Sequence, residues 1–155
     1  MSLRDYLQEI RERDPQQVAA TLSQWVDDIN RLYEFVITQL SELLPEEKIK
    51  EAKTKTVPVT RYEELLGEYQ THELNVSLCG RKIVFSPVAR IVLGSTGRVD
   101  MFLRGRIDEG YKLLHDQTVS PAVWRLAKGQ RRKALPDLPA LTKETLESAI
   151  KDLLG

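Results

Sequence analysis

Glu73-Leu74-Asn75-Val76-Ser77-Leu78-Cys79-Gly80-Arg81-Lys82-Ile83-Val84-Phe85-Ser86 is the stretch that decides the fold. Leu74, Val76 and Leu78 alternate with Glu73, Asn75 and Ser77, the period of a strand that buries one face. Cys79-Gly80-Arg81 reads as a tight turn, and 82–86 as the returning strand. Downstream the punctuation continues. Pro87 bends the chain, 88–93 forms a third strand, Gly94-Ser95-Thr96-Gly97 is a hairpin turn, and 98–103 is a fourth strand. A turn over 105–110 leads to a strand at 111–115, and Pro121 precedes a last strand at 123–126. Turn signals at short, regular spacing predict an antiparallel meander rather than a parallel sheet.

Upstream the period is helical. Val18, Leu22, Trp25, Ile29, Leu32 and Val36 step by four and three residues, with Ala19, Val26, Tyr33, Ile37, Leu40 and Leu44 in a second row. Gln24, Asp27, Asp28, Arg31, Glu34, Gln39 and Glu42 are assigned to the opposite, polar face, where Asp27 and Arg31 are one turn apart. Asp14 caps this helix, Pro15 opens it and Pro45 stops it. The apolar stripe is too wide for a strict coiled-coil seam, so it covers a sheet face, with an oligomer seam as the alternative. Leu3, Tyr6, Leu7 and Ile10 predict a short amphipathic helix over 3–12. Residues 45–56 are a charged connector that adds a helical turn. Thr60-Arg61-Tyr62-Glu63 has the pattern of a capping box, predicting a short helix to Gly67, although 62–69 also suits a strand. At the other end Leu141, Thr142 and Leu146 match a staple around a Thr cap, and Leu146, Ala149, Ile150, Leu153 and Leu154 form one helical face.

The expected fold class is therefore α+β: two N-terminal helices, the second long, an antiparallel meander of five to six strands and a C-terminal helix. One domain over 1–155 is expected, divided into a helical segment 1–44, a sheet 57–127 and a helix 141–154.

Composition narrows the function classes. With 155 residues, 41% hydrophobic and 30% charged, the chain is neither disordered nor collagen-like. One cysteine, Cys79, cannot make an internal disulfide and suits a reducing compartment. No apolar run suggests a signal peptide or a membrane span, so a cytoplasmic location is expected, with no membrane partner.

Lysine plus arginine and aspartate plus glutamate both number 23, giving zero net charge. That zero is a cancellation: residues 1–73 carry −6, residues 80–133 carry +8 and residues 134–155 carry −2. Either acidic helices offset the sheet inside the molecule, or the basic region meets an external anion or acidic partner. Arg81, Arg90, Arg98, Arg104, Arg106, Arg125, Arg131, Arg132 and Lys133 are the candidate anion- or partner-binding residues. Arginine dominates the set and favours bidentate contacts. Phe85, Phe102, Tyr111 and Trp124 lie nearby but fit a core equally well, and no nucleic-acid motif is present.

Candidate chemistry is sparse. Gly94-Ser95-Thr96-Gly97-Arg98 has the wrong spacing for a phosphate loop. Arg98 and Asp100 share a strand face and pair there. A symmetric turn would set Leu93 opposite Arg98 and Ile91 opposite Asp100. Asp108-Glu109-Gly110-Tyr111-Lys112 lacks the spacing of a nuclease carboxylate set. His72, His115 and Cys79 are too few for structural zinc. A Cys79–histidine nucleophilic pair is the remaining catalytic arrangement, since His115 and Asp116 point to opposite faces. No cofactor is expected. The residues thus suggest a small, cytosolic, non-catalytic binding or accessory protein with a protein partner or a second copy of itself. The alternative is a nucleic-acid-binding module using 80–133, and enzyme activity is left open.

Overall fold

A computed structural model describes residues 2–13, 15–92, 95–129 and 133–155, and of residues 9–13 the backbone alone. The chain runs α1 (Leu3–Arg13), α2 (Pro15–Leu43), β1 (Thr54–Glu63), β2 (Gly67–Leu78), β3 (Arg81–Ala89), β4 (Arg98–Leu103), β5 (Tyr111–Asp116), β6 (Val123–Lys128) and α3 (Lys143–Leu154). The strands form one antiparallel sheet in sequence order, β1-β2-β3-β4-β5-β6. The α+β meander is present with six strands. The Asp14 cap lies outside the described residues, as do Leu93 of the expected third strand and Gly94 of the expected hairpin turn.

Two strands differ from the sequence reading. Residues 54–63 form a full strand paired from Thr54↔Val76 to Glu63↔Gly67, so the expected helix at Thr60 does not form. Threonine, valine and tyrosine suit a pleated surface, and ten consecutive pairings with β2 outweigh the local capping pattern. The charged connector shortens to a 3-10 turn, Pro45–Glu47, and a π-type turn, Ile49–Lys53. Conversely, the described part of the expected third strand, 88–92, is not a strand of its own. β3 runs through Pro87, which sits opposite Val99, and its register shifts by a bulge between Pro87 and Ala89. A bulge tolerates the missing proline N–H. As a result Ser86, not Ile91, faces Asp100, and Ala89, not Leu93, faces Arg98.

The long helix lies against the sheet through Trp25, Ile29, Leu32, Tyr33, Val36 and Leu40, all buried. Burying each large apolar side chain contributes about 1.5–3 kcal/mol. These residues meet Leu74, Val76, Ile83, Phe85, Val99, Met101 and Leu113 from the sheet, with Leu146, Ala149 and Ile150 of α3 closing the core. Tyr33 fixes the register of helix on sheet. Its hydroxyl donates to the carbonyls of His72 (2.6 Å) and Phe85 (3.3 Å), and its ring meets Phe85 edge-on at 6.4 Å. Tyr69 and Thr71 are buried in the first half of β2, and Leu74, Asn75 and Val76 are buried in succession beyond it, so both faces of the strand are covered there.

α2 outreaches its sheet. Residues 15–20 are exposed apart from half-buried Val18. Thr142 caps α3 reciprocally with Thr145: each hydroxyl accepts from the other residue's backbone N–H, at 3.2 and 2.7 Å.

Gly97 is required by the packing of α2. A Cβ at this position would lie 2.3 Å from the Trp25 ring, on a backbone with φ +153°. Gly97→Ala is expected to lower stability by about 1–3 kcal/mol through overpacking. Urea denaturation followed by tryptophan fluorescence measures the change, and an unaltered midpoint would contradict this account.

Candidate functional site

The sheet arginines are distributed rather than gathered. Arg81 donates to the Leu154 carbonyl at the end of α3 (2.6 Å). Arg98 binds both oxygens of Asp100 (2.8 and 3.0 Å), as expected for residues two apart on a strand face. Arg106 lies 3.8 Å from Glu109. Arg125 donates to Asp116 (2.8 Å) and to the Leu138 carbonyl (3.0 Å). Arg90 is half-buried, and its Nε has no hydrogen-bond partner. Arg104 and Lys133 are exposed, and Arg131 and Arg132 lie outside the described residues. Arg98 and Lys133 share a cavity of about 500 Å³ with Lys112, Val92, Leu114 and Leu135. Much of the positive segment is thus held by acceptors of the sheet itself, and not only by the acidic helices.

Asp116 shows how completely such a charge is absorbed. It has 0% of its surface exposed. The Thr118 hydroxyl and the Arg125 guanidinium hold its pKa at about 2. It cannot reach a ligand.

A second group of polar residues converges beneath α2. Asp28, expected on the polar face, is only 7% exposed. The helical period explains this: Asp28 is three residues after Trp25 and four before Leu32, within the buried stripe. Its Oδ1 accepts from the Gln24 amide (2.9 Å), while Oδ2 has no hydrogen-bond partner and lies 3.9 Å from Nδ1 of His115. His115, on β5, is 4% exposed and packs at a tilt of 44° against Trp124 of β6, with ring centroids 4.7 Å apart. Trp124 in turn approaches Trp25 at 6.1 Å. Together Asp28, His115, Trp124, Arg31, Phe35 and Val123 line a cavity of about 350 Å³ between α2 and the β5–β6 end of the sheet. Arg31 is exposed at this cavity, and among the described residues no ion pair joins it to Asp27 one turn away.

The arrangement resembles an acid–histidine–hydroxyl set in composition but not in geometry. Thr96 Oγ1 is 3.3 Å from His115 Nδ1 and donates to the His115 carbonyl (3.0 Å). A relay needs the acid on one imidazole nitrogen and the nucleophile on the other. Here Asp28 and Thr96 both address Nδ1, so His115 cannot pass a proton between them. Cys79 lies elsewhere, exposed in the β2–β3 turn beside an apolar groove lined by Leu40, Leu43, Leu78 and Ile150. Asp28 and His115 escaped the sequence reading because their approach depends on how α2 crosses the sheet; only the periodicity of Asp28 was legible. Among the described residues, no cluster of three histidine, cysteine or acidic side chains could hold a metal ion, and no helix is long and apolar enough to cross a membrane.

Burial lowers the His115 pKa from its ordinary 6.5; Asp28 and Asp116 oppose that shift and Arg90 adds to it. The unfolded chain therefore takes up a proton at a pH where the folded chain still refuses it. Stability from this residue is complete above about pH 6.5 and is lost as pH falls below that value. Asp116 acts in a lower window, its contribution being lost only as pH falls below the ordinary carboxylate range toward 2. Urea midpoints between pH 7.5 and 5.5 are expected to decline, and His115→Gln to flatten the decline; an equal slope in both proteins would contradict the assignment. No known protein family, no curated protein and no solved structure matches the chain.

Proposed function

We propose that this is a small, cytosolic, non-catalytic binding protein that acts through a protein partner. The observation that carries the reading is the exposure of apolar side chains at the start of α1. In α1, Leu3 and Tyr6 are 72% and 50% exposed, and the first turns of α2 stand clear of the sheet. α1 is tied to the body at Arg4–Glu64, an exposed ion pair of 3.3 Å. An exposed pair of this kind contributes about 0–1 kcal/mol. An amphipathic helix presented this way suits a partner's groove, read through residues spaced by three and four. The same-nitrogen geometry at His115 supports a non-catalytic role.

A photo-crosslinking residue at Tyr6 tests the reading in cells of the native host. The expected result is one adduct of defined mass, absent when the same residue replaces Gln39 on the polar face of α2. An adduct of twice 17.8 kDa would identify a second copy of the chain as the partner. No adduct from Tyr6, or equal adducts from both positions, would refute α1 as the contact.

The cavity of Arg98, Lys112 and Lys133 favours nucleic acid as a second reading. With Arg98 neutralised by Asp100, two phosphate contacts predict a slope of about −1.8 in log affinity against log salt on duplex DNA. Lys112→Ala with Lys133→Ala would remove that slope. No binding at low salt excludes this reading.

A further inference from the structure

The cavity between α2 and β5–β6 contains a buried acid with an unsatisfied oxygen, and that acid is over nine-tenths buried. A carboxylate costs free energy to bury unless it is paired and hydrogen-bonded. Gln24 satisfies one oxygen only. His115 faces the other at 3.9 Å, too far for a hydrogen bond. Imidazole in this site is kept neutral by its burial, so it supplies no counter-charge. The walls are aromatic: Trp124 and Phe35 line the same cavity. A planar cation stacks well on such faces.

Arg31 sets the second requirement. It is three residues from Asp28 on the same helix, which places the two Cβ atoms about 5–6 Å apart. A ligand bearing only positive charge would meet Arg31 as a repulsion. A ligand with a cation for Asp28 and an anion for Arg31 satisfies both. The volume of about 350 Å³ falls within the range of small-ligand sites, about 300–1,000 Å³.

We propose that this cavity binds a zwitterionic residue, its side-chain guanidinium or ammonium seated at Asp28 against Trp124 and its carboxylate at Arg31. The residue is either a free basic amino acid or the C-terminal residue of a polypeptide. This deepens, and rests on, the reading of the chain as a binding protein.

Calorimetric titration of the whole protein with L-arginine tests the site, alongside agmatine, which lacks the carboxylate, and L-citrulline, which lacks the side-chain cation. Arginine is expected to bind saturably below about 10 mM and to shift the Trp124 indole N–H resonance. Citrulline is expected to bind at least about tenfold more weakly, since it loses a charged hydrogen bond. Agmatine is expected to lose about two- to fivefold, because Arg31 is exposed. Asp28→Asn should abolish the preference for arginine over citrulline, and Arg31→Ala the preference over agmatine. These preferences are ratios within one protein, and the wild-type series alone decides the charge requirement even where a variant fails to fold.

Ala-Ala-Arg with a free carboxylate, compared with free arginine, identifies the source: tighter peptide binding assigns a chain terminus, tighter arginine binding a free amino acid. The proposal is overturned if neither arginine nor the peptide binds, if citrulline binds as tightly as arginine, or if folded Asp28→Asn retains the preference. If the site fails while Tyr6 still gives its adduct, the partner reading survives without it. If arginine binds and Tyr6 gives none, the α1 contact is refuted and the site stands.

Discussion

The packing of Trp25, Ile29, Leu32, Tyr33, Val36 and Leu40 against the sheet is the interaction on which the rest of the structure depends. It is directional as well as apolar. Tyr33 is bonded to carbonyls of β2 and β3, and Trp25 occupies the space that a side chain at position 97 would fill. Sliding α2 by one turn would break the first contact and collide at the second. The helix is thereby held at one position along the sheet, and the residues flanking its stripe acquire fixed neighbours.

The placement of Asp28 follows from that constraint. An acid on the border of an apolar stripe is brought to the imidazole of His115 and the ring of Trp124 only because α2 crosses β5 and β6 where it does. The packing energy of the large side chains offsets the cost of burying a carboxylate that is only half satisfied. Asp28 Oδ2 is one of a few buried polar atoms among the described residues that lack a hydrogen-bond partner, with Asn75 Oδ1 and Arg90 Nε.

Charge is organised on a shorter scale than the segment totals suggest. Arg98 is answered within its own strand by Asp100, and Arg125 across β5–β6 by Asp116. Acidic helices contribute at fewer places, among them Asp152 of α3, which accepts from Lys128 and from Tyr111. A basic stretch of sequence is therefore a weak guide to a basic surface, because neighbouring strands carry their own acceptors.

Period and punctuation in the sequence determined the element types. The alternation around Leu74–Leu78, the tight turn read at Cys79-Gly80-Arg81, the long helical stripe and the Thr142 cap all depend on residues within a few positions of one another, and all are present, with Arg81 already in β3. Local pattern misread Thr60–Glu63 and the segment after Pro87, where pairing with a distant strand overrode a helix-capping signal and a proline. Glu63 does not cap a helix; it accepts from Arg90 and Ile91 N–H (both 2.9 Å), contacts 27 and 28 residues away. Only the tertiary structure decided which arginines are occupied and that Asp28 meets His115. Such meetings are set by the crossing of α2 over the sheet, a geometric relation between elements that no local run of residues encodes.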